Sequence, residues 1–372
     1  MKVLTVVGTR PEIIKLSCVL DLLDKTTDHI LVHTGQNFDK ELNQNFFEDL
    51  TLKPPKYYLN ASANSAAETI ANVIKETDKI IEKEKPDAFV IYGDTNSCLS
   101  VISAKRKKIP IFHMEAGNRC FDLNVPEEIN RKIVDHLSDV NFTLTHQAKN
   151  YLLKEGLPSE YTILSGSHIP EILEKYKSKI SESLILKKLK LDKESYILVS
   201  THREEIVDDD SKLKTFVNSL EQVSKKFKKE IIISTHPRTK KRMQKLKIKS
   251  NNSRLRFLKP FNFSDYINLQ QNAFCVISDS GTIAEESAIL NFSAITIRPT
   301  HERPEVYDYG TLLMAELDSK KMIEAIKLAK LLLNKDLDET NIPDYKFRET
   351  SKIILNNIFS LTPKINKYIW RK

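Results

Sequence analysis

The chain has 372 residues, of which 40% are hydrophobic and 29% charged, a composition typical of globular domains. Its formal net charge is +8, but the lysines are spread over both halves, which favours a solvated surface and predicts no nucleic-acid partner. The four cysteines form no Cys-x-x-Cys pair, which argues against a zinc site or a disulfide framework. The first apolar run, residues 3–7, is too short for a secretion signal or a membrane span, so we expect a cytoplasmic protein that makes no membrane contact.

Short apolar runs alternate with longer helical patterns in the first half of the chain. Because these runs are continuous, each predicts a strand buried on both faces of a parallel sheet, and the patterns between them predict covering helices. The predicted strands are residues 3–7, 29–33, 88–92, 109–113 and 140–143, and the predicted helices are residues 11–23, 66–83 and 127–137.

A second series of the same kind follows after a short join. Its predicted strands are residues 196–200, 230–234, 255–258, 275–278 and 294–298, and its predicted helices are residues 213–227, 264–271 and 282–290. Two such series predict an α/β protein with two Rossmann-like parallel-sheet domains, residues 1–167 and 168–346. Residues 347–372 are predicted to form a helical tail that packs back on the first domain.

The turn after the first predicted strand reads GTRPEIIK at residues 8–15. Pro11 suits the first turn of a helix, and the positive end of a helix favours anions. Arg10 and Lys15 are therefore candidates for binding an anionic ligand, although two surface cations near a helix start give the same pattern. The segment lacks the GxGxxG spacing, so no nicotinamide cofactor is predicted.

Three carboxylates stand where the predicted fold would bring them to one rim. Asp94 and Glu115 follow neighbouring predicted strands, and Glu127 follows Pro126 at a predicted helix start. Converging carboxylates are typical of acid–base sites, because proximity and burial separate their pKa values. For each residue taken singly, helix capping or surface pairing is the alternative.

The second series carries residues suited to phosphate binding. The Ser-Gly-Thr sequence at residues 280–282 leads into a predicted helix, whose first backbone N–H groups are a ready anion site. His202 and His236 each stand at a predicted strand end with an arginine close by in the sequence. A single histidine is usually a packing residue, but two in this position favour phosphate contact. The aromatic loop at residues 260–266 either stacks a nucleobase or forms a small hydrophobic cluster. Together these features predict a nucleoside diphosphate, linked to a group that undergoes proton transfer, in a cleft between the domains.

Six motifs occur in order along the chain. They are GTRPEIIK at residues 8–15, GDTNS at 93–97, HMEAG at 113–117, PEEINR at 126–131, SDSGTIAEE at 278–286 and ERPE at 302–305. Each motif alone is weak, but six in register over nearly the whole chain are very specific. Together they resemble the non-hydrolysing UDP-N-acetylglucosamine 2-epimerase family.

This resemblance implies a glycosyltransferase-B-like (GT-B-like) fold with an interdomain cleft, and a homodimer that uses neither a metal nor a nicotinamide. It also implies inversion at sugar C2 by elimination of UDP, a bound glycal intermediate and re-addition of UDP. The C2 hydrogen is a poor acid, so a positioned carboxylate base is needed. The departing UDP is an anion, so cations and helix N-termini would stabilise it.

The resemblance also implies roles for individual residues, carried over position by position. Glu286 would bind the ribose hydroxyls, Arg303 would orient the nucleotide, and Tyr266 with the Phe261 backbone would hold the uracil. The implied catalytic residues are Asp94, Glu115, Glu127, Arg131 and His202. The implied residues for binding the UDP-sugar substrate are Arg10, Lys15, Phe261, Tyr266, Ser280, Gly281, Thr282, Glu286 and Arg303.

Some segments look more like one branch of the family. Residues 118–122, with residues 36–39 and 95–98, resemble the enzymes that form UDP-N-acetyl-L-fucosamine from UDP-2-acetamido-2,6-dideoxy-L-talose, a precursor step for surface polysaccharides. His168 and Ile206 depart from the family pattern, which leaves the exact sugar open. The alternative function is a GT-B glycosyltransferase with a UDP-sugar donor. The three carboxylates argue against it, because transfer with one base does not require three.

Overall fold

A computed structural model describes residues 1–35, 47–201, 204–248, 250, 252–298, 300, 302–333 and 340–372, with only the backbone described at residues 204 and 205. The chain divides into two compact units. The first comprises Met1–Lys175 and Phe347–Lys372, and the second comprises Tyr176–Lys346. Across these described ranges, no helix is both long and apolar enough to span a bilayer.

The first unit is built on a parallel sheet. The strands are β1 (Lys2–Val7), β2 (Asp28–His33), β3 (Tyr57–Tyr58), β4 (Ala88–Tyr92), β5 (Ile111–Ala116), β6 (Val140–Thr143) and β7 (Thr162–Leu164). The helices are α1 (Arg10–Thr26), α2 (Ala66–Glu84), α3 (Val101–Arg106), α4 (Pro126–Leu137), α5 (His146–Lys154) and α6 (Ile169–Lys175). The spatial order is β3-β2-β1-β4-β5-β6-β7, so the strand order reverses between β1 and β4. In open sheets of this kind, ligands bind beyond the carboxyl ends of the strands at that reversal.

Strand β5 differs from its predicted bounds of residues 109–113. It begins later because Pro110 has no N–H group to donate to the ladder. It also continues to Ala116, past Glu115, a buried polar residue that an apolar pattern does not detect. This extension brings Glu115 into the strand itself.

The second unit repeats the plan. The strands are β8 (Tyr196–Thr201), β9 (Glu230–Thr235), β10 (Leu255–Leu258), β11 (Cys275–Ser278), β12 (Ala294–Thr296) and β13 (Leu313–Met314), in the parallel order β10-β9-β8-β11-β12-β13. The helices are α7 (Lys177–Ser181), α8 (Ile185–Leu189), α9 (Glu204–Val207), α10 (Asp210–Phe227), α11 (Pro237–Lys245), α12 (Phe263–Asn272), α13 (Ile283–Leu290), α14 (Glu305–Tyr309) and α15 (Ser319–Leu332).

Strand β8 shows that both faces of the second sheet are buried. Ile197 and Val199 belong to one hydrophobic cluster, whereas Tyr196 and Leu198 belong to another. Successive side chains point to opposite faces of a strand, so the two clusters lie on the two sides of the sheet. The predicted α/β class with Rossmann-like parallel sheets is thus confirmed. The two- and three-residue strands β3, β7 and β13 were not predicted, because they are too short to give a pattern.

The C-terminal helix α16 (Thr350–Tyr368) belongs to the first unit. Ile354, Ile358 and Ile365 are fully buried and lie on one face of the helix by their spacing. At the start of the helix, the Glu171 carboxylate accepts hydrogen bonds from the Ser351 N–H at 2.9 Å and from the hydroxyl groups of the first two helical residues. Apolar burial and this carboxylate together fix the helix on the first unit.

Candidate active site

The turn from β1 into α1 is stabilised by a buried carboxylate. Glu12, in the first turn of α1, accepts hydrogen bonds from the backbone N–H groups of Gly8 at 2.6 Å and Thr9 at 3.3 Å. These are N–H groups that a helix start leaves without intrahelical partners. Burial raises the pKa of Glu12 to about 7. Arg10 lies in the same turn, and burial lowers the pKa of its guanidinium.

Glu115 is the most unusual residue of this site. Its φ is +65°, a left-handed conformation that is strained for glutamate, and the β5–β6 register shifts between Met114 and Ala116. The side chain is only 8% exposed. Its Oε2 atom accepts hydrogen bonds from the Lys15 ammonium and, at 2.6 Å, from the Tyr92 hydroxyl. The fold thus brings together two predicted site residues, Lys15 and Glu115, from α1 and β5.

A buried network fixes the chain around Glu115. Asp135 on α4 accepts hydrogen bonds from the Gly117 N–H at 3.2 Å and from the Arg119 guanidinium at 2.7 Å. Asp135 also lies 3.0 Å from Nδ1 of His113, whose Nε2 atom contacts the Gly93 carbonyl at 2.8 Å. Sequence reasoning missed Asp135, because one acidic residue inside a polar helix gives no signal of burial.

Helix α4 also positions Asp94. The Arg131 guanidinium contacts Asp94 Oδ2 from Nη2 at 2.8 Å and from Nε at 3.0 Å, and it reaches Glu128 from Nη1 at 3.0 Å. Asn130 donates a hydrogen bond to the Asp94 carbonyl at 2.9 Å. The predicted pair Asp94 and Arg131 is therefore brought into contact, and Asp94 stays partly exposed.

The structure distinguishes the two adjacent glutamates at the start of α4. Glu127, the predicted acid–base residue, is partly exposed in the first turn. Glu128 is fully buried and accepts hydrogen bonds from the backbone N–H groups of Cys120 at 3.1 Å and Phe121 at 3.3 Å. Glu128 thus holds the loop before α4, a role that the sequence PEEINR does not reveal.

In the second unit, the turn between β11 and α13 is closely packed. The Ser280 N–H donates to Ser278 Oγ at 3.0 Å, and the Ser280 and Thr282 hydroxyls are 3.0 Å apart. A Cβ atom added at Gly281 would lie 2.7 Å from Glu302 Oε1, so a larger residue there would require the Glu302 side chain to move. Helix α13 begins directly after this turn, and its first N–H groups suit a phosphate.

A second group of predicted residues surrounds the start of α12. Phe261 and Tyr266 are partly buried and pack against a hydrophobic core cluster, which matches the hydrophobic alternative considered for this loop. Burial raises the pKa of Tyr266, whose hydroxyl interacts with the side chains of Ser200 and Gln270. Glu286 accepts a hydrogen bond from Gln270 Nε2 at 2.6 Å, so the same glutamine links Tyr266 and Glu286.

Arg303 and its neighbours form buried ion pairs in the second unit. Arg303 is 1% exposed and contacts Glu285 Oε2 at 3.1 Å from Nη2. Arg298 contacts Glu302 at 2.7 Å. His202, the remaining predicted residue, lies outside the described residues. Among those described, no group of three or more His, Cys, Asp or Glu side chains is arranged to hold a metal ion.

The fold and the site define a class of protein. Two parallel sheets of Rossmann strand order, with flanking helices and polar residues at the strand ends, are typical of a GT-B-like α/β enzyme. A spinosyn rhamnosyltransferase is similar, with a TM-score of 0.54 and 9% identity, over 98% of this chain and 96% of that chain. At that identity the likeness concerns the fold alone.

Closer relatives identify the family. The structure of UDP-N-acetylglucosamine 2-epimerase from Rickettsia bellii is 51% identical with a TM-score of 0.93, over 100% of both chains. The UDP-GlcNAc 2-epimerase of Methanocaldococcus jannaschii, solved with UDP-GlcNAc and UDP, is 34% identical with a TM-score of 0.88, over 96% of this chain and 99% of that chain. The UDP-2,3-diacetamido-2,3-dideoxy-D-glucuronate 2-epimerase of Pseudomonas aeruginosa is 29% identical over 332 residues, 88% of this chain and 92% of that protein.

The family model described as UDP-N-acetylglucosamine 2-epimerase matches residues 22–358. The chain therefore belongs to the UDP-N-acetylglucosamine 2-epimerase family, a family of isomerases. The resemblance inferred from the six motifs is confirmed at this level. The N-acetyl-L-fucosamine branch stays a prediction, because the relatives named above include none from that branch.

Proposed function

We propose that this protein inverts C2 of a UDP-2-acetamido sugar by eliminating and re-adding UDP. In the first step a carboxylate takes the C2 proton, the C1–O bond to UDP breaks, and a C1=C2 double bond forms. In the second step UDP re-forms the C1–O bond, and a proton is delivered to the opposite face of C2. No net oxidation occurs, so the reaction needs no redox cofactor.

The observation that supports this proposal best is the environment of Glu115. An ammonium group and a phenol hydroxyl both contact Oε2, and both stabilise the ionised carboxylate. The strained φ of Glu115 indicates a side chain aimed by the backbone, which is typical of catalytic groups. Asp94, held by Arg131, and Glu127 complete the proposed acid–base set.

The second unit would bind UDP. The turn of Ser280, Gly281 and Thr282 before α13 suits a phosphate, and Glu286 would accept hydrogen bonds from the ribose hydroxyls. Tyr266 and the Phe261 backbone would hold the uracil, with Arg303 and His202 assisting the nucleotide. The relative from Methanocaldococcus jannaschii, which was solved with UDP-GlcNAc and UDP, supports a UDP-sugar as ligand.

The proposed sugar is either of two pairs. One is UDP-GlcNAc with UDP-ManNAc, and the other is UDP-2-acetamido-2,6-dideoxy-L-talose with UDP-N-acetyl-L-fucosamine. By its name, the relative from Pseudomonas aeruginosa acts on a third UDP-sugar, so substrates differ among relatives. A cytoplasmic homodimer that supplies surface polysaccharide precursors fits this proposal.

Proton NMR of the purified enzyme in D2O tests the proposal, with UDP-GlcNAc in one sample and the UDP-L-talose derivative in another. The expected result is deuterium at C2 together with formation of the epimer in one of the samples. The sample in which this occurs identifies the substrate. No exchange in either sample would overturn the proposal, and acceptor-dependent sugar transfer would then point to the glycosyltransferase alternative.

A further inference from the structure

The residues around Glu115 include two that the proposed chemistry does not use, Tyr92 and His168. Both are almost fully buried in the first unit, at 3% and 2% exposure. Tyr92 is the last residue of β4, and His168 lies in the loop between β7 and α6. The family resemblance predicts a small or apolar residue at the position of His168. A buried histidine next to a candidate catalytic group is therefore a feature of this chain that calls for a physical explanation.

The strand register explains how Tyr92 reaches Glu115. Tyr92 pairs with Met114 across β4 and β5, so these two side chains share one face of the sheet. In a regular strand Glu115 would point to the opposite face. The bulge at Glu115 re-aims its side chain, and the Tyr92 hydroxyl then reaches Oε2 at 2.6 Å.

The phenol hydroxyl has one hydrogen, and this determines the role of His168. The 2.6 Å contact places that hydrogen between Tyr92 and Glu115. His168 Nδ1 lies 3.3 Å from the same hydroxyl oxygen, and the two form a hydrogen bond in the tautomer or charge state whose Nδ1 carries a hydrogen. The imidazole meets the phenol ring edge-on at a centroid distance of 5.5 Å, which restricts both rings.

Lys15 completes the arrangement from the other side. Its ammonium contacts Glu115 Oε2 and lies 5.2 Å from the centre of the Tyr92 ring. One oxygen atom of the carboxylate is thus held by donors from two elements, α1 and β4. His168 aligns one of those donors.

We propose that Tyr92 and His168 are positioning residues for Glu115, with His168 orienting the Tyr92 hydroxyl and Tyr92 fixing the carboxylate for proton transfer at C2. This inference rests on the proposed function. His168 acts only through Tyr92, so their effects on catalysis are coupled. Neither residue needs to contact the substrate, so turnover changes more than substrate binding does.

Kinetics of C2 deuterium exchange test the coupling, with thermal unfolding of each variant measured in parallel as a check on folding. Tyr92→Phe should lower kcat by roughly 10- to 100-fold, the worth of a hydrogen bond to a charged group, with KM within about twofold of wild type. His168→Leu should lower kcat by about 3- to 10-fold, and the double variant should be no slower than Tyr92→Phe alone. His168→Asn should restore most of the activity, because the amide nitrogen can replace Nδ1 as donor.

Tyr57→Phe is the matched control, because Tyr57 also donates to a carboxylate of the first unit, that of Glu84 on α2. It should exchange at the wild-type rate. If the wild-type protein exchanges but Tyr92→Phe behaves like this control, or if the two single effects multiply in the double variant, the positioning role is wrong while the proposed function stands. If the wild-type protein itself exchanges no C2 hydrogen with either substrate, the proposed function fails and the positioning role fails with it.

Discussion

At the residue scale, Glu115 and Glu12 illustrate two uses of a buried carboxylate near one sheet edge. Glu115 faces an ammonium and a hydroxyl, which stabilise its charge. Glu12 faces two backbone N–H groups, and its burial raises its pKa to about 7. The first environment favours the ionised form, which a carboxylate needs before it can accept a proton, and the second environment fixes a turn.

Glu115→Gln should fold normally but exchange C2 hydrogen at least about 100-fold more slowly, because an amide of the same shape cannot accept the proton. The measurement is deuterium incorporation at C2 by NMR. Glu82→Gln, on the exposed side of α2, serves as the control and should keep full activity. Normal turnover by Glu115→Gln would show that another residue removes the proton.

Glu12 should make the stability of the first unit depend on pH. Between pH 4.5 and about 7 the unfolded chain ionises this residue while the folded chain keeps it protonated. The free energy of unfolding therefore falls as pH rises through this window and levels off above it. Between pH 5 and pH 8, the free energy of unfolding should therefore fall by about 1–3 kcal/mol less in Glu12→Gln than in the wild-type protein.

Urea unfolding at these two pH values measures the effect of Glu12. Glu160→Gln, at a largely exposed position, is the control and should follow the wild-type pH dependence. An equal pH dependence in Glu12→Gln and wild type would mean that Glu12 is ionised in the folded protein.

At the scale of elements, the end of β5 depends on two left-handed residues, Glu115 and Gly117. Gly117 has a φ of +80°, and a Cβ atom there would lie 2.5 Å from the Ala148 carbonyl oxygen. Its N–H also donates to Asp135. A side chain at this position would therefore push the end of β5 away from α5 and change the direction of Glu115.

Gly117→Ala should destabilise the first unit by roughly 2–4 kcal/mol and lower the exchange rate, because it adds a steric clash to backbone strain. Gly156→Ala separates the two effects, because Gly156 has a φ of +89° with no atom near the added Cβ. That control should cost only about 1 kcal/mol and leave exchange unchanged. Equal losses of stability in the two variants would mean that the steric clash at Gly117 contributes nothing beyond backbone strain. Thermal unfolding and C2 exchange provide the measurements.

At the scale of the whole molecule, the first unit combines the beginning and the end of the chain. Helix α16 contributes buried isoleucines to this unit. The Glu171 carboxylate accepts hydrogen bonds from the Ser351 N–H and from the hydroxyl groups of Thr350 and Ser351. The unit therefore completes its fold only after residues 347–372 are synthesised.

Deletion of residues 347–372 should lower the unfolding temperature of the first unit by about 5 °C or more, because apolar surface under α16 becomes exposed. Scanning calorimetry measures the change. Removal of Arg371 and Lys372 alone, two exposed residues, is the control and should change little. An unchanged transition in the long deletion would mean that α16 adds no net stability.

The sequence alone determined the class of fold and the family. Continuous apolar runs such as residues 88–92 predict buried parallel strands, because helices cover both faces of such a sheet. The six motifs place Asp94 and Glu115 at strand ends and Glu127 at a helix start, since local spacing fixes where a turn begins. The predicted boundary after residue 167 and the interdomain cleft stay predictions.

The tertiary structure alone decided which of these side chains contact each other. Lys15 and Glu115 are 100 residues apart, and Tyr92 and His168 are 76 residues apart, so no local pattern links either pair. The different burial of Glu127 and Glu128, and the support from Asp135, likewise depend on packing against distant elements. Local sequence specifies where a strand ends. The partner of a buried charged side chain depends on which distant elements pack against it, because a buried charge must be paired or hydrogen-bonded.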